Sequence, residues 1–149
     1  FYLVAVMDWF SRKVLSWQVY NTMDGTFCVE ALEDALLQYQ KPMIFNSDQG
    51  AQFTANAFTG VLKKAEVAIS MVSRGRCYDN IFIERLWRSL KYELIYLKAF
   101  DDGQHLAQEV NSWFRWYNRQ RPHQSLNYQT PDEMYYESCS KKEVVCNSC

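Results

Sequence analysis

Apolar and polar positions change their spacing several times along the chain of 149 residues, and each change marks an element. Phe1–Met7 and Val14–Tyr20 are rich in Val, Tyr, Phe and Trp and read as strands, with Asp8-Trp9-Phe10-Ser11-Arg12-Lys13 between them as the turn of a hairpin. Phe27, Ala31, Ala35 and Leu36 recur at helical spacing, which predicts a helix capped by Thr26 and running to about Gln40, where Pro42 stops it. Met43–Asn46 is a short apolar strand, ended by Ser47-Asp48-Gln49-Gly50. A helix from about Ala55 to Ala65, a strand at Val67–Val72 and a loop at Ser73–Tyr78 follow.

In the second half, Asp79 or Asn80 can cap a long helix to about Leu97, with Ile83, Leu86, Trp87, Leu90, Leu94 and Leu97 on one apolar face. Asp101-Asp102-Gly103 breaks the chain before another helix over roughly Leu106–Arg119, whose stripe of Leu106, Val110, Trp113, Phe114 and Tyr117 is a core-facing side. Thr130-Pro131-Asp132-Glu133 combines a Thr cap, Pro at the first helical position and Glu at the third, a strong start for a last helix. The order of elements predicts an α/β fold, a mixed sheet covered by helices with additional helices at the C-terminal end. Residues 1–136 form the expected domain. From 137 to 149 the composition turns to Ser, Lys and Cys, and this tail is expected to be disordered.

Composition narrows the function classes. The hydrophobic content of 48% and charge of 22% are those of a globular domain, and no apolar run reaches the roughly 18 residues of a membrane span. Net charge is −1, which argues against a uniformly basic nucleic-acid binder and leaves room for a local basic stripe. The five cysteines are uneven in spacing, as expected of reduced thiols in a bacterial cytoplasm; Cys146-x-x-Cys149 has no second pair at zinc spacing. The start at Phe1, with no initiator Met or basic segment, suggests a fragment whose N-terminus lies upstream.

Two carboxylates carry the candidate chemistry. Asp48 sits just past a short buried strand, where side chains leave the packed layer; a turn Asp bonding its own backbone is the plainer alternative. Glu84 lies on the border of the long helix's apolar face, with Arg88, Lys91 and Lys98 stacked along the same line. Here the alternative is an ion pair of Glu84 with Arg88, worth a few tenths of a kcal/mol. Taken together, the two acids suit a divalent metal, because phosphodiester transfer needs charge neutralised on both the attacking and the leaving oxygen.

Four segments in order then resemble the catalytic core of bacterial insertion-sequence transposases of the DDE group, relatives of retroviral integrases. They are Val4–Lys13, Asn46–Phe53, Asp79-Asn80 followed by Glu84–Lys91, and Tyr117–Leu126, with 35 residues between Asp48 and Glu84. The resemblance implies a ribonuclease-H-like fold lacking its first strand, with Asp48 and Glu84 as the second and third acids of a Mg²⁺ (or Mn²⁺) site. It also implies that Arg88 and Lys91 contact DNA, namely the element's ends and its target, and that the complete protein is a homo-oligomer. Arg74 and Arg76, in the loop around Gly75, are further candidates for DNA contact. The family's first catalytic Asp belongs to the absent strand. Asp8 is expected to cap the hairpin turn with Ser11 instead, and Arg121 and His123 to brace the C-terminal helices. Absence of the central strand would leave two unpaired edges facing each other, so the chain as given is expected to be inactive alone. The alternatives are a ribonuclease-H-like nuclease that hydrolyses without joining and a non-catalytic DNA-binding remnant.

Overall fold

Alternation along the first strand determines how the layers stack. In the computed structural model, which describes residues 1–21, 25–47, 53, 55–71 and 81–140, β1 (Tyr2–Met7) pairs antiparallel with β2 (Val14–Tyr20), from Tyr2 opposite Tyr20 to Met7 opposite Val14. Val4 and Val6 enter one buried cluster, whereas Leu3, Ala5 and Met7 pack into a second. The period-two pattern of a strand thus feeds a helical layer on each side.

The turn of this hairpin is closed by Asp8, as the sequence predicts. Its Oδ2 accepts from the Ser11 amide at 3.1 Å and the Ser11 hydroxyl at 2.6 Å, and Ser11 Oγ in turn accepts from the Lys13 amide at 3.1 Å. Asp8 is fully buried. Burial pushes its carboxyl above the ordinary aspartate value, against the opposing pull of the two Ser11 bonds and Arg12.

On one face lie α1 (Thr26–Gln38) and α2 (Asn56–Lys64), which with β1, β2, Phe45 and Val67 bury Phe27, Ala31, Leu32, Ala35, Phe58 and Leu62. The cap of α1 is Gly25 and not the predicted Thr26, which is the first helical residue: Gly25 takes a left-handed φ of 84°, which a glycine adopts without steric cost. Helix α2 links β3 (Ile44–Ser47) to β4 (Ala68–Met71), which pair in parallel from Ile44 opposite Ala68 to Ser47 opposite Met71.

The opposite face carries α3 (Ile81–Leu90) and α4 (Gly103–Arg119), whose Leu86, Leu90, Val110, Trp113, Phe114 and Tyr117 surround Met7 and Val14. The single helix predicted to Leu97 instead widens into a π turn at Lys91–Ile95. That turn keeps Leu94 buried, while Leu97 stands 72% exposed, off the apolar face assigned to it from the sequence. Helix α4 starts three residues before the predicted Leu106 because Asp102 Oδ1 accepts from the His105 amide at 2.7 Å.

Long-range polar contacts tie the C-terminal helices to the hairpin. Asn118, buried at the end of α4, bonds both backbone groups of Val14. The last helix, α5 (Pro131–Ser140), opens with the predicted capping box: the Thr130 amide donates to Glu133 Oε1 at 3.1 Å and the Glu133 amide to Thr130 Oγ1 at 3.2 Å. It runs past the boundary drawn at 136, and residues 141–149 lie outside the described residues. Lys13 holds it in place, donating to Asp132 at 2.7 Å and to the Tyr136 hydroxyl at 3.2 Å, with the Tyr136 ring centroid 4.5 Å away. Burial opposes the charge on Lys13, but its bonds to Asp132 and Tyr136 outweigh burial and raise its pKa above the ordinary lysine value.

Among the described residues, β1 pairs only with β2 and β3 only with β4. Between these two pairs is a cleft of about 270 Å³, lined by Tyr2–Val6 of β1, by Phe45, Asn46 and Ser47 of β3, and by Ile83 and Trp87 of α3.

Candidate active site

Two elements define the rim of this cleft. Strand β3 ends at Ser47, immediately before Asp48 in the sequence, and its parallel pairing with β4 fixes where the chain emerges from the sheet. Helix α3 lies alongside, with Ile83 and Trp87 turned into the cleft wall and Leu86 and Leu90 buried in the layer beneath. At about 100° per residue, that burial places Glu84 and Arg88 on the solvent side, one turn apart, and Lys91 follows at the start of the π turn.

Glu84, Arg88 and Lys91 are all exposed. Among the described residues the Glu84 carboxylate makes no hydrogen bond or ion pair, so the pairing with Arg88 that the sequence allowed is not formed. Arg88 and Lys91 are likewise without ion-pair partners there. Lys98 leaves the stripe: its Nζ lies 2.7 Å from Glu109 of α4, and this bond draws the Glu109 carboxyl below its usual range.

Asp48, Arg74 and Arg76 lie outside the described residues, as do Asp79 and Asn80. The described residues contain no group of three or more His, Cys, Asp or Glu side chains able to hold a metal. Next to the cleft-lining Ile83, Glu84 offers carboxylate oxygens that no cation among the described residues engages, which suits a hard divalent cation. Ser47 Oγ is buried on the same cleft wall with no hydrogen-bond partner among the described residues. A buried hydroxyl of that kind is open to a polar partner.

Around this site, sequence reasoning missed the groups that hold the scaffold. In the sequence Asn118 belongs only to the Tyr117–Leu126 segment, and Lys13 to the hairpin turn and the Val4–Lys13 segment. The bracing role of Arg121 was anticipated: its Nε donates to both Glu93 oxygens, at 2.8 and 3.1 Å, joining the π turn to the segment after α4. His123 packs edge-on against Tyr117, with centroids 5.0 Å apart.

Residues 1–77 match the Integrase core domain family, and a second model of the same description matches residues 65–131. The chain belongs to the integrase core family. The transposase of insertion sequence element IS629 from Shigella sonnei is 29% identical over 148 residues, covering 97% of this chain and 50% of that protein. The transposase of IS904 from Lactococcus lactis is 30% identical over 139 residues, covering 89% of this chain and 53% of the relative. The chain thus spans about half the length of these transposases. Among solved structures, the catalytic core domain of BIV integrase superposes with a TM-score of 0.69 at 21% identity, covering 87% of this chain and 82% of that one. These likenesses establish the ribonuclease-H-like integrase fold expected from the sequence. No helix among the described residues is long and apolar enough to cross a membrane.

Proposed function

We propose that this integrase-family chain is the catalytic core of an insertion-sequence DNA transposase, with Asp48 and Glu84 as two of its metal-binding carboxylates. The observation that carries this reading is the state of Glu84. It stands exposed, with no hydrogen bond or ion pair among the described residues, next to Ile83, which lines the β1–β3 cleft together with Ser47, the residue before Asp48. A carboxylate kept clear of Arg88, one turn away, remains available to a cation.

Bound Mg²⁺ or Mn²⁺ would supply charge neutralisation for the attacking and leaving oxygens of a phosphodiester. The chain's own residues do the rest. Asp48 and Glu84 would hold the cations; Arg88 and Lys91, exposed along the helix behind Glu84, bind backbone phosphates and align the strand; Arg74 and Arg76, either side of Gly75 in the sequence, are further DNA-contacting residues. In this reading water is the first nucleophile, freeing a DNA 3′-hydroxyl, and that hydroxyl is the second, displacing a 3′-oxygen in the target strand. The third carboxylate belongs to an extended strand that inserts between β1 and β3, pairs with their open edges and meets the buried Ser47 hydroxyl. The complete protein works as a homo-oligomer on element ends and target DNA.

The test is strand transfer by a complete transposase carrying this core, with Glu84→Gln and Asp48→Asn made separately. Each substitution is expected to abolish both cleavage and joining while the protein stays folded. Strand transfer retained by Glu84→Gln would remove Glu84 from the metal site, and cleavage without joining by the unaltered protein would favour a nuclease.

A further inference from the structure

A second concave site lies one position round α3 from the Glu84–Arg88 row. Between Arg85 and Ser89 of that helix, Arg12 of the hairpin turn and Arg121, His123 and Ser125 after α4 is a cavity of about 160 Å³. Three guanidinium groups therefore converge from three separate segments, and among the described residues no carboxylate lines the cavity. Glu93 engages the Nε edge of Arg121. Arg12 lies 3.6 Å from the Phe82 ring centroid and donates to the Phe10 carbonyl at 3.3 Å. Arg85 is exposed and has no ion-pair partner among the described residues.

The floor holds an orphan. His123 Nε2 is buried and finds no hydrogen-bond partner among the described residues. Burial first, then the charges of Arg121 and Arg12, push the imidazole pKa down to about 4, so the ring is neutral at physiological pH. A buried, unpaired ring nitrogen costs stability in the free protein. An anion would reverse that cost, accepting from the imidazole and from the guanidinium groups at once.

We propose that this cavity is a phosphate-binding site that takes a single phosphodiester group of a DNA backbone. Size favours one oxyanion: the volume equals that of roughly five waters at about 30 Å³ each, well below the roughly 300 Å³ at which pockets for organic ligands begin. The hydroxyls of Ser89 and Ser125 add neutral donors at the wall. Arg85 neighbours Glu84 in sequence, so a phosphate held here would sit beside the strand track proposed for Arg88 and Lys91. The choice of DNA as the source of the phosphate rests on the transposase reading; the phosphate chemistry does not.

The test follows the His123 imidazole by NMR in the full 149-residue chain, titrating inorganic phosphate against chloride at constant ionic strength. Phosphate is expected to shift the His123 signals saturably and to raise the pKa of the ring. Arg85→Ala should weaken phosphate binding roughly tenfold, and Ser125→Ala, at an exposed position that leaves the core untouched, should weaken it less. A short DNA duplex is expected to move the same signals and to compete with phosphate. No saturable shift with either ligand would overturn the site. A shift with phosphate but none with DNA would overturn the DNA source and assign the site to free phosphate. Neither readout depends on catalysis, so failure here is distinct from failure of the Glu84 test.

Discussion

The Asn118 carboxamide bonds both backbone groups of Val14: Nδ2 donates to the Val14 carbonyl and Oδ1 accepts from its amide, each at 2.9 Å. The end of α4 thereby supplies β2 with the donor and acceptor that a neighbouring strand would provide. Asn118→Ala would strand both buried groups, each costing about 1–3 kcal/mol. The expected loss is about 2–4 kcal/mol, read as a lower urea midpoint at unchanged slope. A change within about 0.5 kcal/mol would mean that water or another side chain replaces the carboxamide.

Asp8 closes the hairpin turn through Ser11 and is not a metal ligand in this account. Asp8→Asn keeps an oxygen for the two Ser11 donors, so a complete transposase carrying it should retain strand transfer. Ser11→Ala should cost about 2–4 kcal/mol, because the buried Asp8 carboxyl and Lys13 amide each lose a partner, measured by chemical denaturation. Abolished strand transfer in a fully folded Asp8→Asn protein would place this carboxylate in the catalytic centre.

The half-buried His123 imidazole, its Nε2 enclosed, predicts a pH dependence of definite sign. Its folded pKa of about 4 lies below the ordinary histidine value of 6.5, so between those values the unfolded chain takes up a proton that the folded chain refuses. Its contribution to stability is full above about pH 6.5 and is lost as the pH falls towards about 4. The raised Asp8 carboxyl acts in the opposite sense, adding stability as the pH falls through its folded value. Comparison with His123→Gln isolates the histidine. The difference in stability between the two proteins should change over this interval and be flat above it.

Among the described residues β1 and β3 are each paired along one edge, which predicts that an added strand stabilises the chain. A version extended upstream by one strand should melt at a higher temperature than the 149-residue chain, since backbone groups on both edges and the Ser47 hydroxyl would gain partners. An extended chain that melted no higher would leave the cleft without that role.

Local signals read correctly from the sequence because their partners lie nearby. The Thr130–Glu133 capping box and the Asp8–Ser11 turn each involve residues three positions apart, so the pattern contains the whole interaction. Asn118 and Lys13 were missed for the converse reason. Their partners, Val14 and Asp132, lie more than a hundred positions away, and nothing in a turn lysine announces a carboxylate and a tyrosine on the last helix. The π turn escaped because Leu90 and Leu94 fit an ordinary helix equally well; the tertiary link from Glu93 to Arg121 is visible only once α4 is placed. Glu84 is a candidate in the sequence by its spacing from Asp48 and its place at the edge of an apolar face. That its carboxylate avoids Arg88 could not be read from the sequence, since the same spacing permits an ion pair.

Metal binding by the two carboxylates is tested most directly with manganese, whose unpaired electrons broaden the NMR signals of nearby amides. Titrated into the isotopically labelled chain, it should broaden signals around Asp48 and around Ile83–Arg85 together, and Glu84→Gln should weaken both effects while leaving the rest of the spectrum unchanged. Broadening that avoids either segment, or that persists undiminished in Glu84→Gln, would contradict a metal site shared by Asp48 and Glu84.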